Sequence, residues 1–144
     1  MNENYKFVVE SNLIEGITRE PTPAELSEHE RFMGLDKVTI KELERFVGVY
    51  QPNAVLRDKI GLNVRVGSYY PPQGGIGIRN TLNNLLDICE KVGAYETHLA
   101  YESLHPFTDG NGRSGRQLWA WQTQDLSLGF LHRFYYQTLN EMRP

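Results

Sequence analysis

The sequence predicts a mainly α-helical fold carrying one small β-hairpin. Three observations lead there. Two helix-start signatures, Thr22-Pro23-Ala24-Glu25 and Thr39-Ile40-Lys41-Glu42, stand in the first third of the chain. Apolar residues recur at helical spacing in several later segments. Two-residue alternation occurs convincingly in one place, at Leu62, Val64 and Val66. With 144 residues, 40% of them hydrophobic, the chain suits one domain with one core over 1–144.

Taken in order, residues 6–15 form a short helix with Phe7, Val8, Leu13 and Ile14 as apolar contacts, and Gly16 is placed to stop it at C′. Ser11 and Glu15, four apart, fall on one helical face. Read alone, Glu15 is a solvated acid on a surface helix. In the next helix Thr22 caps, Pro23 takes the first position and Glu25 completes a capping box, with the end near Met33 and Gly34. The helix after Thr39 shows one apolar stripe, Ile40, Leu43, Phe46, Val47 and Tyr50.

From Gly61 the period changes. Leu62, Val64 and Val66 alternate with Asn63, Arg65 and Gly67, and a turn-rich arm through Ser68, Tyr69, Tyr70, Pro71 and Pro72 follows, so the segment reads as a hairpin or flap. Asn80 or Thr81 then caps a helix with the stripe Leu82, Leu85, Leu86, Cys89 and Val92, ended by Gly93, which puts the Cys89 thiol in the core. Ala94 to Leu104 is a further helix with Tyr95, Leu99 and Tyr101 apolar and His98 and Glu102 polar. Ser114 to Gln124 is helical, with Leu118, Trp119 and Trp121 as bulk. Gly129 precedes a last amphipathic helix, Phe130 to Met142, where Tyr135 and Tyr136 are candidate nucleotide neighbours.

Composition narrows the function. A net charge of −3 gives no general electrostatic case for nucleic acid. One cysteine excludes an intrachain disulfide, as suits a reducing compartment. No run approaches the roughly 20 apolar residues of a membrane span. The first residues lack the layout of a secretory signal. The expectation is a cytoplasmic protein that engages neither membrane nor nucleic acid.

The chemistry concentrates in His105-Pro106-Phe107-Thr108-Asp109-Gly110-Asn111-Gly112-Arg113-Ser114-Gly115-Arg116. This is a loop between two helices that delivers backbone N–H groups to a helix N-terminus. Gly110 and Gly112 let backbone approach a ligand, and the N–H groups with the helix dipole favour an anion. Arg113 and Arg116, three apart, can clasp phosphate oxygens from one side. Asp109 is a lone carboxylate beside them, the usual protein share of a Mg²⁺ site. His105 supplies an imidazole, whose unperturbed pKa of about 6.5 suits taking a hydroxyl proton at neutral pH. A base, a metal ligand and an anion nest together describe attack by a hydroxyl on a nucleotide phosphate. No Gly-Lys-Ser/Thr follows, so this is not a Walker loop. His98, His105 and Asp109 do not form a recognised zinc spacing. The structural alternative is a glycine-rich interhelical turn with surface arginines.

Residues 105–116 resemble the signature of the Fic family, His-Pro-Phe-x-Asp/Glu-Gly-Asn-Gly-Arg-x-x-Arg, at every specified position. The likeness extends to Arg57, Val64, Val66, Gly67 and Pro71-Pro72 and to the helices around the motif. It implies transfer of AMP from Mg-ATP to a Ser, Thr or Tyr hydroxyl of a target protein. By this resemblance His105 is the general base and Asp109 the Mg²⁺ ligand. Gly110, Asn111 and Gly112 cradle phosphates, with Arg113 beside them and Arg116 on the γ-phosphate. The flap, 64–76, with Val64, Arg65, Val66, Gly67, Ser68, Tyr69 and Tyr70, would bind the target as an added strand.

Ser11-x-x-x-Glu15-Gly16 resembles the family's inhibitory motif, Ser/Thr-x-x-x-Glu-Gly/Asn, in the subclass that carries it N-terminally, within 6–16. The resemblance implies that Glu15 pairs with Arg116 and keeps the γ-phosphate away. Other outcomes stay open: AMP removal from a target, with Glu15 orienting water; transfer of UMP, phosphocholine or phosphate; or a silent module that binds a partner through its flap. A separate antitoxin partner is less necessary when the inhibitory segment is in the same chain. Homo-oligomerisation could govern release of Glu15, and the sequence carries no interface signal for it.

Overall fold

A computed structural model describes residues 2–127 and orders them into six helices: α1 Glu3–Ile14, α2 Pro23–Met33, α3 Ile40–Tyr50, α4 Ile76–Ile88, α5 Ala94–Leu104 and α6 Asn111–Thr123. The helix expected over 130–142, with Tyr135 and Tyr136, lies outside the described residues. No described helix is long and apolar enough to cross a membrane.

The local signals for α2 and α3 are answered closely, whereas α1, expected over 6–15, starts three residues earlier at Glu3, because Asn2 caps it by accepting from Tyr5 N. Thr22 accepts from Glu25 N, and the Glu25 carboxylate returns a bond to Thr22 N, forming the reciprocal cap. Thr39 caps α3 by accepting from Glu42 N. All five residues of the α3 stripe are buried. Phe46 packs edge-on to Phe32 and stacks on Tyr50. Gly16 takes φ +78° at C′ of α1. Gly16 N bonds to Leu13 O and Ile17 N to Asn12 O, a Schellman stop that leaves Glu15 at the helix end. Leu13 departs from expectation and is exposed.

The expected hairpin is not formed. Among the described residues the segment holds one isolated antiparallel bridge, Val66 to Tyr69, and no strand. Alternation predicts a strand only where ladder partners exist, and here other groups take the backbone. Leu62 N bonds to Lys59 O, the Arg57 guanidinium takes Leu62 O and Pro72 O, and Asn63 Oδ1 takes Gly74 N.

Asn80 and Thr81 do not cap α4; both lie inside it. The helix starts four residues earlier than Asn80, at Ile76, with Gly75 as N-cap and no side-chain cap. Tertiary contacts fix this start instead. Gly75 N bonds to Arg57 O, and a Cβ on Gly74 would fall on the carbonyls of Lys59 and Leu62. Gly93 does not end α4. That helix stops at Ile88 with buried Cys89 as its C-cap, and Gly93 is the N-cap of α5.

Helix α6 starts at Asn111, three residues before Ser114, and packs against α1, α2, α3 and α5. It buries Asn111, Arg113, Ser114, Arg116 and Gln117, an unusually polar set for an interior helix. His98 and Glu102, the polar positions of α5, are buried too. His98 Nδ1 lies 3.1 Å from Gly115 O, and Tyr101 Oη 2.7 Å from Ser114 Oγ. Gly115 permits this approach, because a Cβ there would fall on the Glu102 carboxylate. Gly115→Ala is therefore expected to cost about 1–3 kcal/mol by overpacking, read as a lower denaturant midpoint at unchanged slope.

Buried His29 joins three helices. Its ring nitrogens lie 2.8 Å from Gln117 Oε1 on α6 and 2.8 Å from Asn4 Oδ1 on α1, and Phe7 stacks on it. The first helix is thus bound to the core at both ends. At the other end Asn12 Nδ2 reaches Glu25, which also takes a bidentate contact from Arg19.

Candidate active site

Local chemistry shapes the turn from α5 into α6. His105 closes α5 in the left-handed conformation, φ 51° and ψ 61°, with its N–H on Tyr101 O. Histidine is among the side chains enriched in that region. Asn111 then locks the loop by itself: its Oδ1 accepts Phe107 N and its Nδ2 donates to Phe107 O, both at 2.8 Å. The middle of the loop is pinned to 55–57. Leu56 and Phe107 form an antiparallel bridge, and Thr108 N bonds to Val55 O. Gly110, φ +79°, is the N-cap of α6 and offers no side-chain cap, so the first turn keeps its N–H groups for another partner.

A cavity of about 560 Å³ opens over this turn, lined by Glu15, Ile17, Gln51, Val64, Arg65, His105, Thr108, Asp109, Gly110, Asn111, Gly112 and Arg113. Most of the expected site residues therefore share one space. Arg116 lies beneath it, fully buried and bonded to Glu15. Of the flap set, Val64 and Arg65 reach the cavity. Val66, Gly67, Ser68, Tyr69 and Tyr70 do not line it, and Tyr69 Oη instead donates to Ser103 O at 2.8 Å. Asp109 is exposed at the cavity wall, and one of its oxygens takes Gly110 N at 2.8 Å.

The two arginines differ in surroundings. Arg113 is buried with its guanidinium 5.6 Å over the Tyr50 ring, and its Nε and Nη1 have no hydrogen-bond partner among the described residues. Burial pushes its pKa down, against the pull of Glu15 and Asp109. A buried guanidinium with unmet donors facing a cavity is a demand for an anion. Arg116 donates from Nε to Ser11 Oγ and from Nη2 to Ser11 O, both at 2.9 Å. Its Nη2 also donates to Glu15 Oε2 at 2.6 Å.

The helical spacing of four therefore carries Ser11 and Glu15 to the same guanidinium. The Glu15 carboxylate also lies over Gly112, where a Cβ would collide with it. A carboxylate thus occupies the first turn of α6, where the N–H groups and the dipole favour negative charge.

The sequence model of the Fic/DOC family matches residues 34–123, from the end of α2 through α6. The chain belongs to the Fic/DOC family. Its all-α arrangement is the fold of that family, whose members commonly transfer nucleotide or phosphate groups to proteins. The Fic match does not extend to α1, so the contact between Glu15 and Arg116 stands on the geometry. No curated protein and no solved structure matches the chain.

Sequence reasoning named Arg57 for its family likeness and missed its structural role. It is fully buried, and its polar atoms serve the flap and the His105 turn together. The available signal was an arginine following the apolar run Ala54-Val55-Leu56.

Proposed function

We propose that this Fic protein is an adenylyltransferase that moves AMP from Mg-ATP to a hydroxyl of a target protein and is held off by its own first helix. The seat of the Glu15 carboxylate carries this reading. It lies against Arg116 and Gly112, at the anion-favouring end of α6 and inside the cavity that His105 lines.

In the transfer, His105 takes the proton of a Ser, Thr or Tyr hydroxyl. The hydroxyl oxygen bonds to the α-phosphorus as the bond to the bridging oxygen breaks and pyrophosphate leaves. Arg113 and the N–H groups of the first turn hold the phosphate charge. Arg116 takes the γ-phosphate once Glu15 withdraws. No group of three or more His, Cys, Asp or Glu residues that could hold a metal exists among the described residues. A one-carboxylate site at Asp109, completed by substrate phosphates, fits Mg²⁺. The ion bound there would neutralise phosphate charge. The segment 64–76 is the docking place for an extended part of the target, with Val64 and Arg65 nearest the cavity.

Titration with ATP tests the reading. Glu15→Gly is expected to bind ATP with Mg²⁺-dependent affinity, about tenfold tighter than the parent protein, for a charge contact worth at least 1.4 kcal/mol. Equal affinities, or affinity indifferent to Mg²⁺, would remove its support.

A second reading is AMP removal. Glu15 shares the cavity with His105, and its side chain is 37% exposed, within reach of water. Release of AMP from a modified target, lost in Glu15→Gly, would favour it.

A further inference from the structure

Four successive carbonyls at the end of α5 and the start of the catalytic turn, those of residues 103–106, are all held from outside their own helix by two residues of the flap region. Tyr69 Oη donates to Ser103 O at 2.8 Å. The Arg57 guanidinium donates from Nη2 to Leu104 O at 2.9 Å and from Nε to His105 O at 2.7 Å. Arg57 N donates to Pro106 O at 2.8 Å.

Arg57 also grips both feet of the flap. Its Nη1 donates to Leu62 O at 3.0 Å and to Pro72 O at 2.9 Å, and its own carbonyl takes Gly75 N at 2.9 Å. The side chain is fully buried and makes no ion pair with a carboxylate among the described residues, so carbonyl dipoles alone compensate its charge. The guanidinium lies at the negative end of the α5 dipole, where a cation is favoured. Burial lowers its pKa, and an arginine stays charged nonetheless.

We infer that Arg57 is a positioning residue for the His105 base, and that with Tyr69 it makes the flap and the catalytic turn one mechanical unit. His105 sits in the left-handed region, which side-chain-bearing residues seldom adopt, so its backbone must be held by its surroundings. Arg57 and Tyr69 supply that hold, and they anchor it to the segment assigned above to target docking. Occupation of the flap therefore bears on the placement of the base. This inference rests on the transfer reading for its kinetic consequence and on the hydrogen bonds alone for the coupling.

Three variants test it. Tyr69→Phe removes one hydroxyl from a half-buried ring and keeps the fold. Arg57→Lys keeps the charge but cannot reproduce the planar fork, and Arg57→Gln loses the charge as well. Native-state hydrogen exchange is read at Val66 and Gly75 in the flap and at His105 and Thr108 in the turn. Tyr69→Phe is expected to speed exchange at both sets together by about threefold or more, while α2 and α3 are unchanged. Arg57→Lys is expected to do so by tenfold or more. Faster exchange confined to residues 62–75 overturns the coupling. If Arg57→Lys does not fold, Tyr69→Phe decides alone.

In the Glu15→Gly protein, the same variants are expected to lower kcat for target modification by about three- to tenfold at unchanged ATP affinity, with Arg57→Lys retaining more activity than Arg57→Gln. A rise in target KM at unchanged kcat overturns the positioning role and leaves docking only. If Glu15→Gly transfers nothing at all, the transfer reading fails, and the exchange experiment still decides the coupling.

Discussion

Replacing His105 is expected to abolish the proposed AMP transfer. Removal of a general base costs typically about 10²–10⁴ in rate, and among the described residues no other imidazole lines the cavity. The choice of substitute matters, because His105 occupies the left-handed region at φ 51°. Alanine tolerates that conformation poorly, whereas asparagine is enriched there. His105→Ala and His105→Asn should therefore be compared. Both are expected to lose transfer by at least about 10²-fold, with His105→Asn nearer the parent protein in thermal stability. ATP affinity should persist in both, since Arg113 and the α6 first turn are untouched. A His105→Asn protein with near-parent turnover would remove the imidazole from the chemistry.

Replacing Glu15 acts in the opposite direction. Glu15→Gly is expected to raise transfer by about 10- to 100-fold, as the loss of a charge-assisted contact worth about 1.5–3 kcal/mol implies. The backbone allows the change. Glu15 is the C-cap of α1 at φ −91° and ψ 9°, and the stop that follows is made by Gly16, Ile17 and their carbonyl partners. The helix should remain in place, held by His29 through Asn4 and by Ser11 on Arg116. Glu15→Gln separates charge from shape. It keeps an oxygen that can accept from Arg116 but no net charge to compete with a γ-phosphate, so intermediate activation is expected. Full activation in Glu15→Gln would assign inhibition to charge alone. Activation in neither variant, with ATP bound equally in all three proteins, would contradict an inhibitory Glu15.

These expectations were legible in the sequence to different depths. The capped helices and the α3 stripe were readable because caps and periodicity are local signals. Residues 105–116 were readable because glycines, arginines, an acid and a histidine lie within one short loop. The meeting of Glu15 with Arg116 came from resemblance and that of Ser11 with Arg116 only from the fold, since residues more than a hundred positions apart share no local pattern. The start of α4 at Ile76 was misread because Arg57 and close backbone approach at Gly74 set it, not a cap. The flap was read as a hairpin because alternation does not say whether backbone partners are already taken. His98 and Glu102 were legible as polar but not as buried, although Gly115, an isolated glycine in a helical pattern, was the clue that α5 and α6 approach closely there. Arg57 was quoted for its likeness alone, and its several bonds appear only once the chain is folded.

The most direct test of the central claim follows the phosphorus. Glu15→Gly protein is incubated with Mg²⁺, a host lysate, and ATP labelled on either the α- or the γ-phosphate, with His105→Asn in the same background as control. Transfer of AMP leaves the α-label on protein, releases the γ-label with pyrophosphate, and gives no label in the control. Retention of the γ-label, or of neither label, would contradict the account.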